Sequence, residues 1–228
     1  MRVLILAAGK QERWKESARR ILPGYDTPKQ LVDIGGEPLL RRTARQVRKF
    51  GVRPTVVTHD PQLSVPGAQW FEPADCSTVL ASWLSTRELW SVRTVLLLGD
   101  VYYTRETMRT IMECRDPLRV FGRTELQGRI AGRYYEIFAI SYDQALAEQV
   151  EAQLRELVGS VCQDKDCKLR TFYDDWCGFP SWKFQHDDTV IYPVNDLTED
   201  FDLFEDYQQF ETMIIKQGKL DDGRHQLR

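Results

Sequence analysis

Apolar residues follow two rhythms along this chain. Continuous runs mark strands buried on both faces: Val3-Leu4-Ile5-Leu6, closing on Ala7-Ala8-Gly9, and Thr94–Leu98, stopped by Gly99-Asp100. Shorter runs predict strands at Leu31–Ile34, Thr55–Thr58, Gln69–Phe71, Leu118–Phe121 and Tyr134–Ser141. Helical spacing replaces them at Leu40, Ala44 and Val47, with Pro38 as the first helical residue. It recurs at Leu80, Trp83 and Leu84, with Asp75 as cap, and at Met108, Ile111 and Met112. Leu146, Val150, Leu154 and Leu157 mark another helix, and Leu203, Tyr207, Phe210 and Ile214 the last. From Lys10 to about Gln30 the chain is polar and basic. Residues 160–190 are irregular and aromatic and read as a flap or small excursion; residues 219–228 read as a frayed tail.

This alternation predicts the α/β class: a three-layer α/β/α, Rossmann-like arrangement on a mostly parallel mixed sheet, one domain over residues 1–218. Open sheets of this kind bind ligands beyond the carboxyl ends of their strands. Gly9 and Asp100 both stand at such ends, which locates the expected site.

Composition narrows the picture. Of 228 residues, 42% are hydrophobic and 29% charged, enough for a sizeable core and incompatible with wholesale disorder. The longest apolar run, Val3–Ala8, is far too short for a membrane span or a secretory core, so no membrane partner and a cytoplasmic address are expected. A net charge of −3 argues against nucleic acid as a partner. Its distribution matters more. Residues 1–50 carry twelve Lys/Arg against five Asp/Glu, while residues 187–211 carry nine Asp/Glu and neither Lys nor Arg. Two mutually attracting solvated faces would look like this; so would a basic end holding an anion and an acidic end holding a cation. The five cysteines form no regular framework, and the Cys162, Cys167, Cys177, His186 spacing lacks a zinc knuckle, so ordinary thiols are expected.

The chemistry concentrates at the two strand ends. Small residues at Ala7-Ala8-Gly9 let a ligand approach the backbone, whose amides can cradle an anion, with Lys10, Arg13 and Lys29 adding positive charge. A plain strand-to-loop turn would look the same. No G-x4-G-K-[ST] occurs, which excludes a P-loop, and Gly9 alone makes no dinucleotide fingerprint. Asp100 suits the first carboxylate of a Mg²⁺ site, with capping of the helix near Thr104 as its alternative. The second carboxylate must come from the acidic stretch, where Asp196, Asp200, Asp202 and Asp206 compete with a simple solvated helix start.

Three segments, Leu6-Ala7-Ala8-Gly9-Lys10-x-x-Arg13, Pro28-Lys29-Gln30-Leu31 and Gly35-Gly36-Glu37-Pro38-Leu39-Leu40, resemble the opening of MobA-like nucleotidyltransferases. These are relatives of the sugar-phosphate and phosphocholine nucleotidylyltransferases. Leu97-Leu98-Gly99-Asp100 is similar to the family's metal-binding strand end, and Asp202-Leu203-Phe204-Glu205-Asp206-Tyr207 to its late D-x-x-E-D-[LY] motif. Gln11 stands where the usual G-x-G-x-R has its second glycine, and Leu203-Phe204 where Thr-Pro is common. The resemblance implies the nucleotide-diphospho-sugar transferase, GT-A-like fold. It also implies a nucleotide against Leu6, Ala7, Ala8, Gly9, Lys10, Ser77 and Gly99, catalytic Arg13 and Lys29 on its phosphates, and Mg²⁺ on Asp100 and Asp202. By position, Arg133 would hold the acceptor's phosphate and Glu136 a hydroxyl or cation, with Trp176 and Trp182 as a wall.

The implied reaction moves NMP from a nucleoside triphosphate to a phosphorylated small molecule and releases pyrophosphate. A phosphate monoester is already ionised at neutral pH, its second pKa being about 6, so no Ser–His or Cys–His pair is required. The remaining work is electrostatic. A glycosyltransferase of related fold is the rival enzyme, although Asp100-Val101-Tyr102 lacks its D-x-D. A nucleotide-binding regulator with a decayed site is the rival that is not an enzyme.

Overall fold

The computed structural model describes residues 1–124, 136–162, 167–180 and 185–217. Nine strands and seven α-helices follow in chain order among them: β1 Arg2–Leu6, α1 Glu12–Ile21, α2 Leu39–Arg48, β2 Thr55–Val57, β3 Gln69–Phe71, α3 Val79–Leu84, β4 Arg93–Leu98, β5 Val101–Tyr102, α4 Arg105–Glu113, β6 Leu118–Gly122, β7 Ile137–Asp143, α5 Ala147–Ser160, α6 Leu169–Trp176, β8 Ile191–Pro193, β9 Glu199–Asp200 and α7 Phe204–Gln217. The main sheet has the order β3-β2-β1-β4-β7-β6-β8, and a separate ribbon pairs β5 with β9. Strand β7 runs antiparallel to both its neighbours; the other pairings in the main sheet are parallel. The predicted mostly parallel mixed sheet is therefore the one that forms.

Central β1 and β4 have no exposed face because apolar layers cover both sides of the sheet. One layer joins Val3, Ile5, Val95 and Leu97 to Leu40 and Val47 of α2 and to Met108 and Ile111 of α4. The other joins Leu4, Leu96 and Ile140 to Trp83 of α3, Val150 and Leu154 of α5 and Phe172 of α6. A third cluster, with Trp14 and Ala18 of α1 against Phe204, Phe210 and Ile214 of α7, fastens the first helix to the last. No helix among the described residues is long and apolar enough to cross a membrane.

Several local expectations are corrected. The basic stretch after Lys10 contains α1, whose single stripe of Trp14, Ala18 and Ile21 faces α7. Leu31–Ile34 is not a strand: Lys29–Leu31 is a 3-10 turn and Asp33 makes an isolated bridge to Pro38, which precedes α2 rather than opening it. Thr78 caps α3, while Asp75 accepts from the backbone of Ser77. Within 160–190 the chain forms α6. Cys162 and Cys167 are joined in a disulfide, with Cα atoms 5.4 Å apart, so the expectation of ordinary thiols holds for Cys76, Cys114 and Cys177 but not for this pair.

Candidate active site

The carboxyl ends of β3, β2, β1 and β4 deliver Ser77, His59, Gly9 and Asp100 to one edge of the sheet. Because β7 is antiparallel, its first rather than its last residues reach that edge, and Glu136 precedes it there. Leu6 pairs with Leu98, and the Gly99 amide donates to the Leu6 carbonyl at 2.8 Å. A Cβ on Gly99 would stand 3.0 Å from that same carbonyl oxygen and 3.0 Å from Ala7 Cβ, so glycine is what lets the two strand ends lie side by side.

Beyond β1, a cavity of about 360 Å³ is lined by Ala7, Gly9, Gln11 and His59, by the cationic Lys10 and Lys15, and by the acidic Glu12 and Asp60. Ala7 and Ala8 are buried, and Gly9 has open space where a Cβ would stand. Gln11, immediately before α1, holds a left-handed conformation at φ 59°, ψ 31°. Arg13 lies on the first turn of α1 and donates to Asp202 Oδ2 at 3.0 Å.

Lys29, at the start of the 3-10 turn, reaches across to an ion pair with Asp100 Oδ2. Both side chains are mostly buried, at 15% and 18% exposed. Burial presses the lysine towards its neutral form, but the carboxylates of Asp100, Asp202 and Asp200 outweigh that pressure and raise its pKa above the ordinary value. This ammonium thus lies in the field of carboxylates distant in sequence. The β5–β9 ribbon explains why: Val101 pairs with Asp200, so the residue after Asp100 is locked beside the acidic stretch, two residues from Asp202.

Asp200, Glu136 and Glu199 form a second, deeper group whose ligand atoms lie within 4.8 Å of one another. Arg123, at the end of β6, donates to Glu199 Oε1 at 2.8 Å and stands 3.6 Å from Glu136. Burial first, then the charge of Asp202, pushes Asp200 up to about 6. Burial, then the charge of Asp200, raises Glu136 further still.

The predicted residues thus fall into three fates. Leu6, Ala7, Ala8, Gly9, Lys10, Arg13, Lys29, Gly99, Asp100, Asp202 and Glu136 come to one edge. Ser77 lies exposed at the same edge beyond β3, and Trp176 stacks on Phe172 in the core rather than walling a pocket. Arg133 and Trp182 lie outside the described residues. Of the other acids, Asp196 accepts from Thr104 and Thr107 at the start of α4, and Asp206 accepts from the Leu203 amide at the start of α7. Thr104 itself caps α4, so Asp100 is not spent as a cap. Two residues went unread in the sequence: His59, whose signal is its place after a strand, and Lys168, whose ammonium lies 3.9 Å from Asp202.

The donor set suits a hard divalent cation, since Asp100 and Asp202 offer carboxylate oxygens and their present partners are ammonium and guanidinium groups that phosphates could equally engage. The deeper trio offers further carboxylate oxygens, of which Glu199 Oε1 is taken by Arg123 while Glu136 Oε2 is buried without a hydrogen-bond partner.

Comparison with known proteins bears on the family and the fold. The family model for the MobA-like NTP transferase domain matches residues 3–157. No curated protein matches the chain. Among solved structures, the CTP:phosphocholine cytidylyltransferase of Streptococcus pneumoniae is similar over 93% of this chain and 98% of its own, at 13% identity and a TM-score of 0.61. The inositol-1-phosphate CTP transferase of T. maritima matches 93% and 96%, at 14% identity and 0.59. A nucleotidyl transferase from Methanothermobacter matches 94% and 97%, at 12% identity and 0.64. At such identities the likeness establishes the shared fold, while the family match covers most of the chain. The protein belongs to the MobA-like NTP transferase family and is a nucleotidyltransferase.

Proposed function

We propose that the enzyme transfers NMP from a nucleoside triphosphate to a phosphorylated small molecule, a sugar phosphate or an amino-alcohol or polyol phosphate, with Mg²⁺ and release of pyrophosphate. The observation that carries this reading is the pairing of Asp100 with Lys29 and of Asp202 with Arg13, brought to one strand-end edge by the β5–β9 ribbon. The solved relatives named for phosphocholine and inositol-1-phosphate support the acceptor class.

In the proposed reaction an acceptor phosphate oxygen attacks the α-phosphorus, and the bond from that phosphorus to the bridging oxygen of the β-phosphate breaks, leaving pyrophosphate. The Ala8–Gly9 backbone lies close enough to the cavity to admit the phosphates without a clashing side chain. Lys29 and Arg13 turn from their carboxylates towards the triphosphate and offset its charge. Asp100 and Asp202 would hold the magnesium ion, which would supply charge neutralisation at the transferring phosphoryl group. Glu136 stands at the acceptor side, where its carboxyl can meet a hydroxyl or cationic group. Tyr102, the third residue of Asp100-Val101-Tyr102, is buried against Phe210, which speaks against the glycosyltransferase alternative. A cytoplasmic address accompanies this reading, since such phosphorylated metabolites are found there.

The test is a pyrophosphate-release assay of four nucleoside triphosphates against a panel of phosphorylated sugars, polyols and amino-alcohols, with and without Mg²⁺. Release with one triphosphate and one acceptor, dependent on the metal, is the expected result. Triphosphate binding with no release from any pair would support the regulator instead.

A further inference from the structure

Gln11 does something costly. Among the described residues it is the only one other than glycine with positive φ. A side chain in that conformation crowds the following carbonyl, which is why glycine or a short Asn or Asp ordinarily takes such positions. Strain of this kind persists where the surroundings hold the residue in place, and it marks a residue whose side chain has a task.

The task is visible in its contacts. As the residue flanking α1, Gln11 could spend its side chain on that helix's unpaired amides, but it makes no such bond. Its Oε1 instead accepts from the backbone amide of Lys29 at 2.9 Å, across eighteen residues of sequence. Its backbone carbonyl accepts from Lys15 at 2.9 Å and so anchors α1. The amide of Lys29 opens the 3-10 turn and has no partner within it, so Gln11 supplies the cap. One residue thereby joins the Gly9 loop to the main chain of the lysine whose ammonium sits on Asp100.

We propose that Gln11 is a positioning residue that fixes the Lys29 main chain, and with it the root of the lysine stem, beside the Gly9 loop, so that one pyrophosphoryl group can engage both the loop amides and the ammonium. This rests on the proposed function, because it takes that loop and Lys29 as the phosphate site. Small displacements of positioning groups are costly in charge-directed sites. The left-handed backbone aims the Gln11 side chain away from its own helix and towards Lys29, so the strain and the bond are parts of one device.

Two substitutions separate bond from backbone. Gln11→Gly removes the amide and relieves the left-handed strain; Gln11→Met removes the amide and keeps the strain. Magnesium pyrophosphate, titrated by calorimetry, is a probe that needs no knowledge of base or acceptor. Both variants should bind it at least ~10-fold more weakly than the parent, as expected for a misplaced charge-assisted contact. The melting temperature of Gln11→Gly should equal or exceed the parent's, and that of Gln11→Met should not. In a Lys29→Ala background, Gln11→Gly should weaken binding by less than ~2-fold further, because its effect runs through the lysine. Amide exchange at Lys29, measured without ligand, should quicken in both variants. Pyrophosphate affinity in Gln11→Gly within twofold of the parent's would overturn the proposal, as would unchanged exchange at Lys29 or a fully additive double variant. If the parent itself fails to bind pyrophosphate, the proposed function falls, and the exchange at Lys29 still decides whether Gln11 holds that residue.

Discussion

Two groups of carboxylates lie side by side at the sheet edge, and their surroundings give them opposite characters. Asp100 and Asp202 face cations on long side chains, Lys29, Arg13 and Lys168, and the last two are about half exposed. The two exposed partners can swing away. Glu199 faces Arg123, which is buried, donates also to the Thr198 carbonyl and has nowhere else to go. Like residues a few positions apart in sequence are thus divided by the mobility of their counter-charges. Exchangeable pairing suits ligand chemistry; fixed pairing holds the β5–β9 ribbon against the end of β6.

The sharpest way to break this contrast is to remove one member from each group. Glu199→Gln leaves Arg123 buried without its ionised partner, and breaking a buried pair costs about 3–5 kcal/mol, read as a lower midpoint in denaturant unfolding. Asp100→Asn should cost less in unfolding, because Asp202 and Asp200 still act on the Lys29 charge, and should reduce pyrophosphate release at least ~100-fold, about 2.7 kcal/mol of transition-state stabilisation. If Asp100→Asn unfolds as readily as Glu199→Gln, the division between a working and a structural group is wrong. Lys29→Ala comes next, with turnover expected to fall at least ~10-fold from the loss of one charge-assisted contact. A parental rate in that variant would place the triphosphate elsewhere.

A smaller effect concerns protons. Glu136 and Asp200 stand above their ordinary values in the folded protein, so the fold binds more protons than the unfolded chain once pH exceeds about 4. The stability they contribute is fully present below the unfolded values and is lost as pH rises through the folded ones, for Asp200 around 6 and for Glu136 beyond that. The parent's melting temperature should therefore decline between pH 5 and pH 8, by a few degrees. Glu136→Gln should flatten that decline; an equal slope in both proteins would mean that Glu136 does not hold its proton in the fold.

The sheet was legible because β1 and β4 are covered on both faces, which forces uninterrupted apolar runs, and because each ends in a glycine and a functional residue. Helix α1 was missed for the opposite reason. Only Trp14, Ala18 and Ile21 mark its inner face, and their i, i+4, i+7 spacing is thin beneath so many charges. Asp202 could be nominated from its motif, but the choice among four neighbouring acids depended on the β5–β9 ribbon, two residues per strand and too short for any periodic signal. Glu199 looks like any helix-start acid until Arg123, seventy-six residues away in sequence, arrives beside it. Nothing in a five-residue cysteine spacing distinguishes a bridge from two thiols, which explains Cys162 and Cys167.

The lysine resting on Asp100 has one further consequence. That carboxylate can welcome another cation only after the ammonium has somewhere else to settle, and under the proposed function the incoming triphosphate is that place. A single side chain would then couple two ligands, each clearing the way for the other, and by thermodynamic reciprocity the favour is equal in both directions. Cooperative uptake of nucleotide and metal would need no hinge, no lid and no second subunit: one flexible four-carbon stem is enough.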